Sequence, residues 1–189
     1  DLRNNPGGIL QQAIDVSGYF IDTGIIVTIK GRNKVVNKSF AANRFSAKAP
    51  KVPLVILINE GSASASEIVA GAVQDHKRGL ILGTTSVGKG SVQSFIPIDK
   101  RSAIKFTEAK YYSPSGREIQ DEGIMPDIYV KQTKIDYSEK KEANATEKFI
   151  RSYFKMKKPK DEPVEDKKSD RYIQDYQYAR AIDLIKGMN

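Results

Sequence analysis

Residues Val52–Gly83 read "VPLVILINEGSASASEIVAGAVQDHKRGLILG", and three patterns succeed one another within them. Val52 to Asn59 is a continuous apolar run, the signature of a strand covered on both faces, as in a parallel sheet. A string of small residues then opens into helical spacing, with Ile68, Ala72 and Val73 on one face and Gly79 marking the end. Leu80 to Gly83 is a second short buried strand. Strand, helix and strand in this order predict a βαβ unit, hence an α/β sheet with a right-handed crossover.

On the amino-terminal side, "ILQQAIDVSGYFI" follows the Pro6-Gly7-Gly8 turn and sets Leu10, Ala13, Ile14 and Ser17 along a helical stripe. "GIIVTIKG" and "KVVNKSF" read as two short strands around a turn at Arg32-Asn33. The opening "DLRNNPGG" reads as the end of a strand entering a turn, so the expectation is that further sequence precedes it. On the carboxyl side, "SVQSFIPI" and "AIKFTEAKYY" alternate as strands with one wet face, and "SPSGREIQDEGIMPDIYV" is a turn-rich excursion ending in a short strand. From Lys131 the composition turns charged. "KMKKPKDEPVEDKKSD" reads as a solvated linker, flanked by amphipathic helices around Ala145–Phe154 and over "YIQDYQYARAIDLIKGM", where Ile173, Tyr176, Ala179, Ile182 and Ile185 share a stripe. The predicted division is a core over 1–130 and a charged linker with helices over 131–189.

With 189 residues the chain can bury one core. It has no cysteine and one histidine, which excludes disulfides, thiol nucleophiles and cysteine-ligated zinc and argues against a histidine metal cluster. The net charge of +8 comes from dispersed lysines without interleaved aromatics, a pattern that does not predict nucleic-acid binding. No apolar run approaches the roughly 20 residues that span a bilayer.

Chemistry concentrates in two stretches. Ser64-Ala65-Ser66-Glu67 fits a capping box, in which serine and glutamate satisfy the free amides of a helix start. The same geometry presents a serine hydroxyl beside unpaired N–H groups at the positive end of a helix, where an oxyanion can be stabilised. His76 lies twelve residues along the same helix, roughly 18 Å away, so a Ser-His-Asp triad with Asp75 fails on distance. A lysine base remains. Lys89, between Gly88 and Gly90 just past a buried strand, is the lysine best placed for the burial that would neutralise it. "GTTSVGKGS", Gly83–Ser91, is one residue from a P-loop, but Gly90 displaces the hydroxyl and a strand pattern follows where a helix must begin, so nucleotide binding is not expected.

The stretches "DLRNNPGG", "VPLVILINEGSASASEIVAGAVQD", "LILGTTSVGKGSVQ", "AKYYSPSGREIQDEGIMPDI" and "DYQYARAIDLIKG" together resemble the carboxyl-terminal processing, or tail-specific, serine proteases. The resemblance implies Ser64 as nucleophile, Lys89 as general base and Gln93 as the residue orienting that lysine. It implies an oxyanion hole from the amide of Ala65 and a glycine amide, Gly7 or Gly8, and it leaves Asp75 as support. It also implies a crotonase- and ClpP-like α/β core with a mixed sheet flanked by helices, polypeptide substrates with exposed carboxyl-terminal tails, no cofactor and an extracytoplasmic location. The carboxyl-terminal stripes suggest a homo-oligomer surface. Two other readings of the same fold remain: a non-catalytic ligand-binding module, and an acyl-CoA enzyme of crotonase type.

Overall fold

The computed structural model describes residues 1–45, 47–133 and 170–188. The βαβ unit forms as predicted. Strand β3 (Val55–Ile58) leads through helix α2 (Ala65–Asp75) to strand β4 (Leu80–Gly83), and β3 pairs parallel with β4. The short β7 (Ile128–Tyr129) adds parallel to the other edge of β4.

The remaining strands make a second, antiparallel sheet instead of extending the first. Its order is β2 (Lys38–Ala41), β1 (Ile25–Gly31), β6 (Ala103–Tyr112), β5 (Ser91–Pro97). The single mixed sheet expected from the sequence is therefore two sheets, with Gly83–Gly90 crossing from one to the other. Helix α1 (Leu10–Phe20) packs beside α2, and Lys48 closes its carboxyl end by donating to the Gly18 and Ile21 carbonyls at 2.6 and 2.9 Å.

Period-two alternation in the parallel strands supplies two cores. Ile56, Ile58 and Ile81 face Ile14 of α1, Ile68 and Val73 of α2, and Ile26 of β1. Leu57 and Leu82 face the other way, onto Tyr178, Ala181 and Leu184. Those residues belong to α4 (Tyr176–Met188), which follows a short α3 (Asp170–Gln174). Each fully buried aliphatic side chain contributes about 1.5–3 kcal/mol.

Several local expectations change. "KVVNKSF" is not one strand: Asn33 Oδ1 accepts from the Val35 amide at 3.1 Å and starts a 3-10 turn over Lys34–Val36 before β2. Helix α2 ends before Gly79, with Lys77 taking the left-handed position at φ 53°. Gly79 serves close packing, because a Cβ there would lie 2.7 Å from the Leu54 carbonyl oxygen. The β5–β6 hairpin projects with both faces wet, Phe95 and Ile104 being exposed, where one dry face was expected. The terminal helix breaks at Asp175; of the predicted stripe Ala179 is buried, and the other inward residues are Gln177, Tyr178, Ala181 and Leu184. The helix expected around Ala145–Phe154 and the charged linker lie outside the described residues.

Candidate active site

Ser64 stands at the turn between β3 and α2 with φ 57° and ψ −116°. A residue with a Cβ is held there only when its surroundings over-determine it, and such outliers cluster at functional sites. Here the surroundings are visible. The Ser62 hydroxyl donates to the Leu2 carbonyl at 2.7 Å and accepts from the Asn59 amide at 3.0 Å, fixing the turn from below. The Ala63 amide and the Ser66 hydroxyl both donate to the Asn5 carbonyl, each at 3.0 Å.

The amino-terminal segment thus lies against the serine turn. Gly7, at φ 91°, approaches so closely that a Cβ would sit 2.5 Å from the Ala63 oxygen and 2.7 Å from the Ala65 nitrogen. The Gly7 amide is occupied by Asn5 Oδ1 at 2.9 Å. The amides of Gly8 and Ala65 donate to no acceptor among the described residues. Beside them lies a shallow cavity of about 200 Å³, lined by Leu2, Gly7, Gly8, Ala13, Ala65 and Val69 among others.

Glu67 is the residue whose role the sequence understated. Its amide donates to the Ser64 carbonyl at 2.9 Å, and its carboxylate, fully buried, accepts the Ser64 amide at 2.7 Å, as a capping box requires. The same carboxylate also accepts the Ser86 hydroxyl and the Gly88 amide, each at 2.6 Å, and the Lys89 amide at 2.9 Å. One buried carboxylate therefore ties the main chain of Ser64 to that of Lys89. Four donors and the positive end of α2 compensate its burial.

The Thr84–Gly90 loop is held on its other side as well. Ser86 Oγ accepts the Ile124 amide at 2.7 Å, the Val87 amide donates to the Ser62 carbonyl at 3.0 Å, and the Asp121 amide donates to the Gly88 carbonyl at 2.8 Å. Gly90 lies against the Gln120 main chain, where a Cβ would come within 2.4 Å. A strand, β5, follows this loop, so the helix that a phosphate cradle needs is not there.

The side chains are less assembled than the main chain. Lys89 is exposed, against the expectation of burial, because among the described residues nothing covers it, and no hydrogen bond joins it to Ser64. Gln93 Nε2 donates to Thr107 Oγ1 at 2.8 Å and Ser91 Oγ at 3.1 Å, and among the described residues no hydrogen bond joins Gln93 to Lys89. The bend that such a contact needs is present only as a bulge, where the β5–β6 register shifts between Val92 and Gln93.

Asp75 closes the far end of α2, about 16 Å from Ser64 along the helix. It accepts the Ser115 amide at 2.9 Å and faces Arg117 at 3.6 Å. Burial works against ionisation of this carboxyl, but hydrogen bonds from Ser113 and Ser115 and the Arg117 charge outweigh it and hold the group below its ordinary value. His76, at the same end, shares a 2.7 Å hydrogen bond with the Ile25 carbonyl. A cavity of about 1080 Å³ also lies at that end, against His76, Arg78 and Asp127.

The model of peptidase family S41 matches residues 1–130. A carboxy-terminal-processing protease of Bartonella bacilliformis is 47% identical over 165 residues, which is 85% of this chain and 37% of the relative. A carboxyl-terminal-processing protease of Synechocystis is 43% identical over 139 residues, 74% of this chain and 32% of the relative. The chain thus spans about a third of the length of these curated relatives. Among solved structures, a photosystem II D1 C-terminal processing protease superposes with a TM-score of 0.64 at 36% identity, over 69% of this chain and 33% of its own. A putative S41 protease from Bacteroides fragilis shares the fold at 16% identity, with a TM-score of 0.58 over 81% of this chain and 44% of its own. Its match over 130 residues and the identity of these relatives place the chain in peptidase family S41.

Proposed function

We propose that the chain is the peptidase core of a carboxyl-terminal processing protease, which cleaves polypeptides near exposed carboxyl-terminal tails. The observation that carries this reading is the strained Ser64 turn, joined by the Glu67 carboxylate to the main chain of Lys89. Ser64 is the nucleophile, and neutral Lys89 takes its proton as the hydroxyl oxygen attacks the scissile carbonyl. The carbonyl oxygen becomes an oxyanion facing the amides of Ala65 and Gly8, Gly7 being already engaged by Asn5. The proton passes to the leaving amine as the acyl-enzyme forms, and water activated by Lys89 then releases the acyl product. Gln93 orients Lys89 once a peptide strand covers both, and the same strand supplies the desolvation that a neutral lysine needs. Asp75 supports the far end of α2.

The small cavity beside Gly8 and Ala65 receives a small apolar substrate side chain. The βαβ unit with a second sheet folded over it supports a crotonase- and ClpP-like core. No metal or nucleotide enters this mechanism. Extracytoplasmic location follows from the family alone. Association through the carboxyl-terminal helices is a matter for light scattering, since the inward face of α4 already packs on β3 and β4.

A second reading, a non-catalytic binding module, is favoured by one observation, the exposed Lys89 with no hydrogen bond to Ser64 among the described residues. Labelling with a fluorophosphonate separates the two. The peptidase reading expects adduct on Ser64 and none in Ser64→Ala. A folded chain that stays unlabelled refutes it.

A further inference from the structure

Arg3 is held by three side chains. Nε and Nη2 donate to the Asp1 carboxylate at 3.0 and 2.8 Å. Nη1 donates to Asp175 Oδ1 at 2.7 Å and to Gln177 Oε1 at 3.0 Å, and Nη2 donates to Asp175 Oδ2. All five N–H groups of the guanidinium are engaged, with a fork on each of two carboxylates. The Arg3 side chain is only 11% exposed and that of Asp175 16%.

Asp175 and Gln177 come from the opposite end of the chain. Asp175 Oδ1 also accepts the Tyr178 amide at 3.1 Å, starting α4, and the Gln177 side chain is fixed by its bond to the Val130 carbonyl at 2.7 Å. The acceptors offered to Arg3 are therefore rigid, docked on the outer face of the parallel sheet. On the inner side, Arg3 is two residues from Asn5, whose carbonyl takes the Ala63 amide and whose side chain takes the Gly7 amide. Hydrogen bonds join α4 to Arg3 and Asn5 to Gly7, and the main chain from Arg3 to Asn5 and from Gly7 to Gly8 links the two ends.

We propose that Asp175 is a positioning residue: through Arg3 it holds the segment Leu2–Gly8 in place, so the carboxyl-terminal helix completes the oxyanion site. This inference rests on the peptidase reading for its catalytic half and on geometry alone for the link. Displacing an oxyanion donor by a fraction of an ångström lowers the rate of the chemical step without weakening substrate capture. Asp175→Asn keeps the acceptor for the Tyr178 amide but removes one arm of the fork and its charge.

The test uses the full chain at a temperature where circular dichroism shows the variant fully folded, and reads two quantities. For fluorophosphonate inactivation, Asp175→Asn is expected to lower the maximal rate by about 10-fold or more with the half-saturating concentration unchanged. By hydrogen exchange, the peptide covering residues 1–10 is expected to exchange about 10-fold faster, with β1 and β6 unchanged. Arg3→Gln should give the same two changes, and the double variant should add nothing further. Unchanged exchange over residues 1–10 overturns the link. Faster exchange with an unchanged maximal rate overturns the positioning role. An unmutated chain that exchanges as expected but never labels refutes the peptidase reading instead.

Discussion

Replacing Glu67 by Gln tests whether one carboxylate organises the site, and the structure sets the size of the effect. Oε1 accepts the Ser86 hydroxyl and the Gly88 amide, while Oε2 accepts the Ser64 and Lys89 amides. A glutamine puts an NH₂ group at one of these positions. At Oε2 it faces two main-chain N–H groups. At Oε1 the Ser86 hydroxyl can turn to accept, but the Gly88 amide cannot. The better rotamer therefore loses at least one charge-assisted hydrogen bond, at about 1.5–3 kcal/mol, and leaves a buried donor unsatisfied, at about 1–3 kcal/mol more. The expected loss is about 3–5 kcal/mol, a large part of the roughly 5–15 kcal/mol of a typical domain. Urea unfolding followed by circular dichroism measures it, with the m-value checked for constancy. In conditions where the variant remains folded, labelling of Ser64 should also fall, because the Ser64 and Lys89 segments are no longer tied. A stability within about 1 kcal/mol of the unmutated chain would refute the role given to this carboxylate.

Gly7→Ala must move main chain, since its Cβ would lie 2.5 Å from the Ala63 oxygen at φ 91°, so Ser64 labelling should fall by about 100-fold or more; near-normal labelling would exclude a tight glycine contact at the turn. If Lys89 is the base, peptidase activity rises with pH to a plateau as the lysine loses its proton, and Lys89→Arg is folded but inactive, because arginine stays charged; retained turnover in that variant removes Lys89 from the mechanism. Hydrogen bonds from Arg3, opposed by partial burial, hold the Asp175 carboxyl at about 2, below its ordinary 3.8. Because the folded value is depressed, the stabilisation is full above about pH 4 and is lost as pH falls through 2; the stability gap between the unmutated chain and Asp175→Asn should shrink by about 2 kcal/mol over that window.

What the sequence discloses and what it hides follow from range. The βαβ unit is legible because apolar runs and helical spacing are local, and Ser64 is legible as a helix start for the same reason. Half of the Glu67 role is local too, its bond to the Ser64 amide three residues back. The other half is not, because Ser86, Gly88 and Lys89 lie 19 to 22 residues on, and no spacing rule brings them to that carboxylate. The exposure of Lys89 is hidden for a related reason: burial belongs to whatever covers a residue, and the glycines beside Lys89 specify only the turn that carries it. Gly79 illustrates the reverse error. A glycine after a helix suggests a left-handed cap, yet Lys77 takes that position and Gly79 answers to Leu54 across the sheet edge.

The carboxyl-terminal helices show a deeper conflict between two readings of the same sequence. Composition assigns residues beyond Lys131 to a charged tail, because apolar content there is low. The run Val55-Ile56-Leu57-Ile58, however, is apolar at successive positions, and successive positions of a strand point to opposite faces. Such a strand requires two covers, and α1 and α2 supply only the one over Ile56 and Ile58. Leu57 and Leu82 then demand another element, which α4 provides with Tyr178, Ala181 and Leu184. The strand pattern is the stronger statement, because leaving two buried leucines wet costs more than the low average of a helix can indicate. Followed to its end, it joins the last described helix to the core, and through Asp175 and Arg3 to the segment beside Ser64.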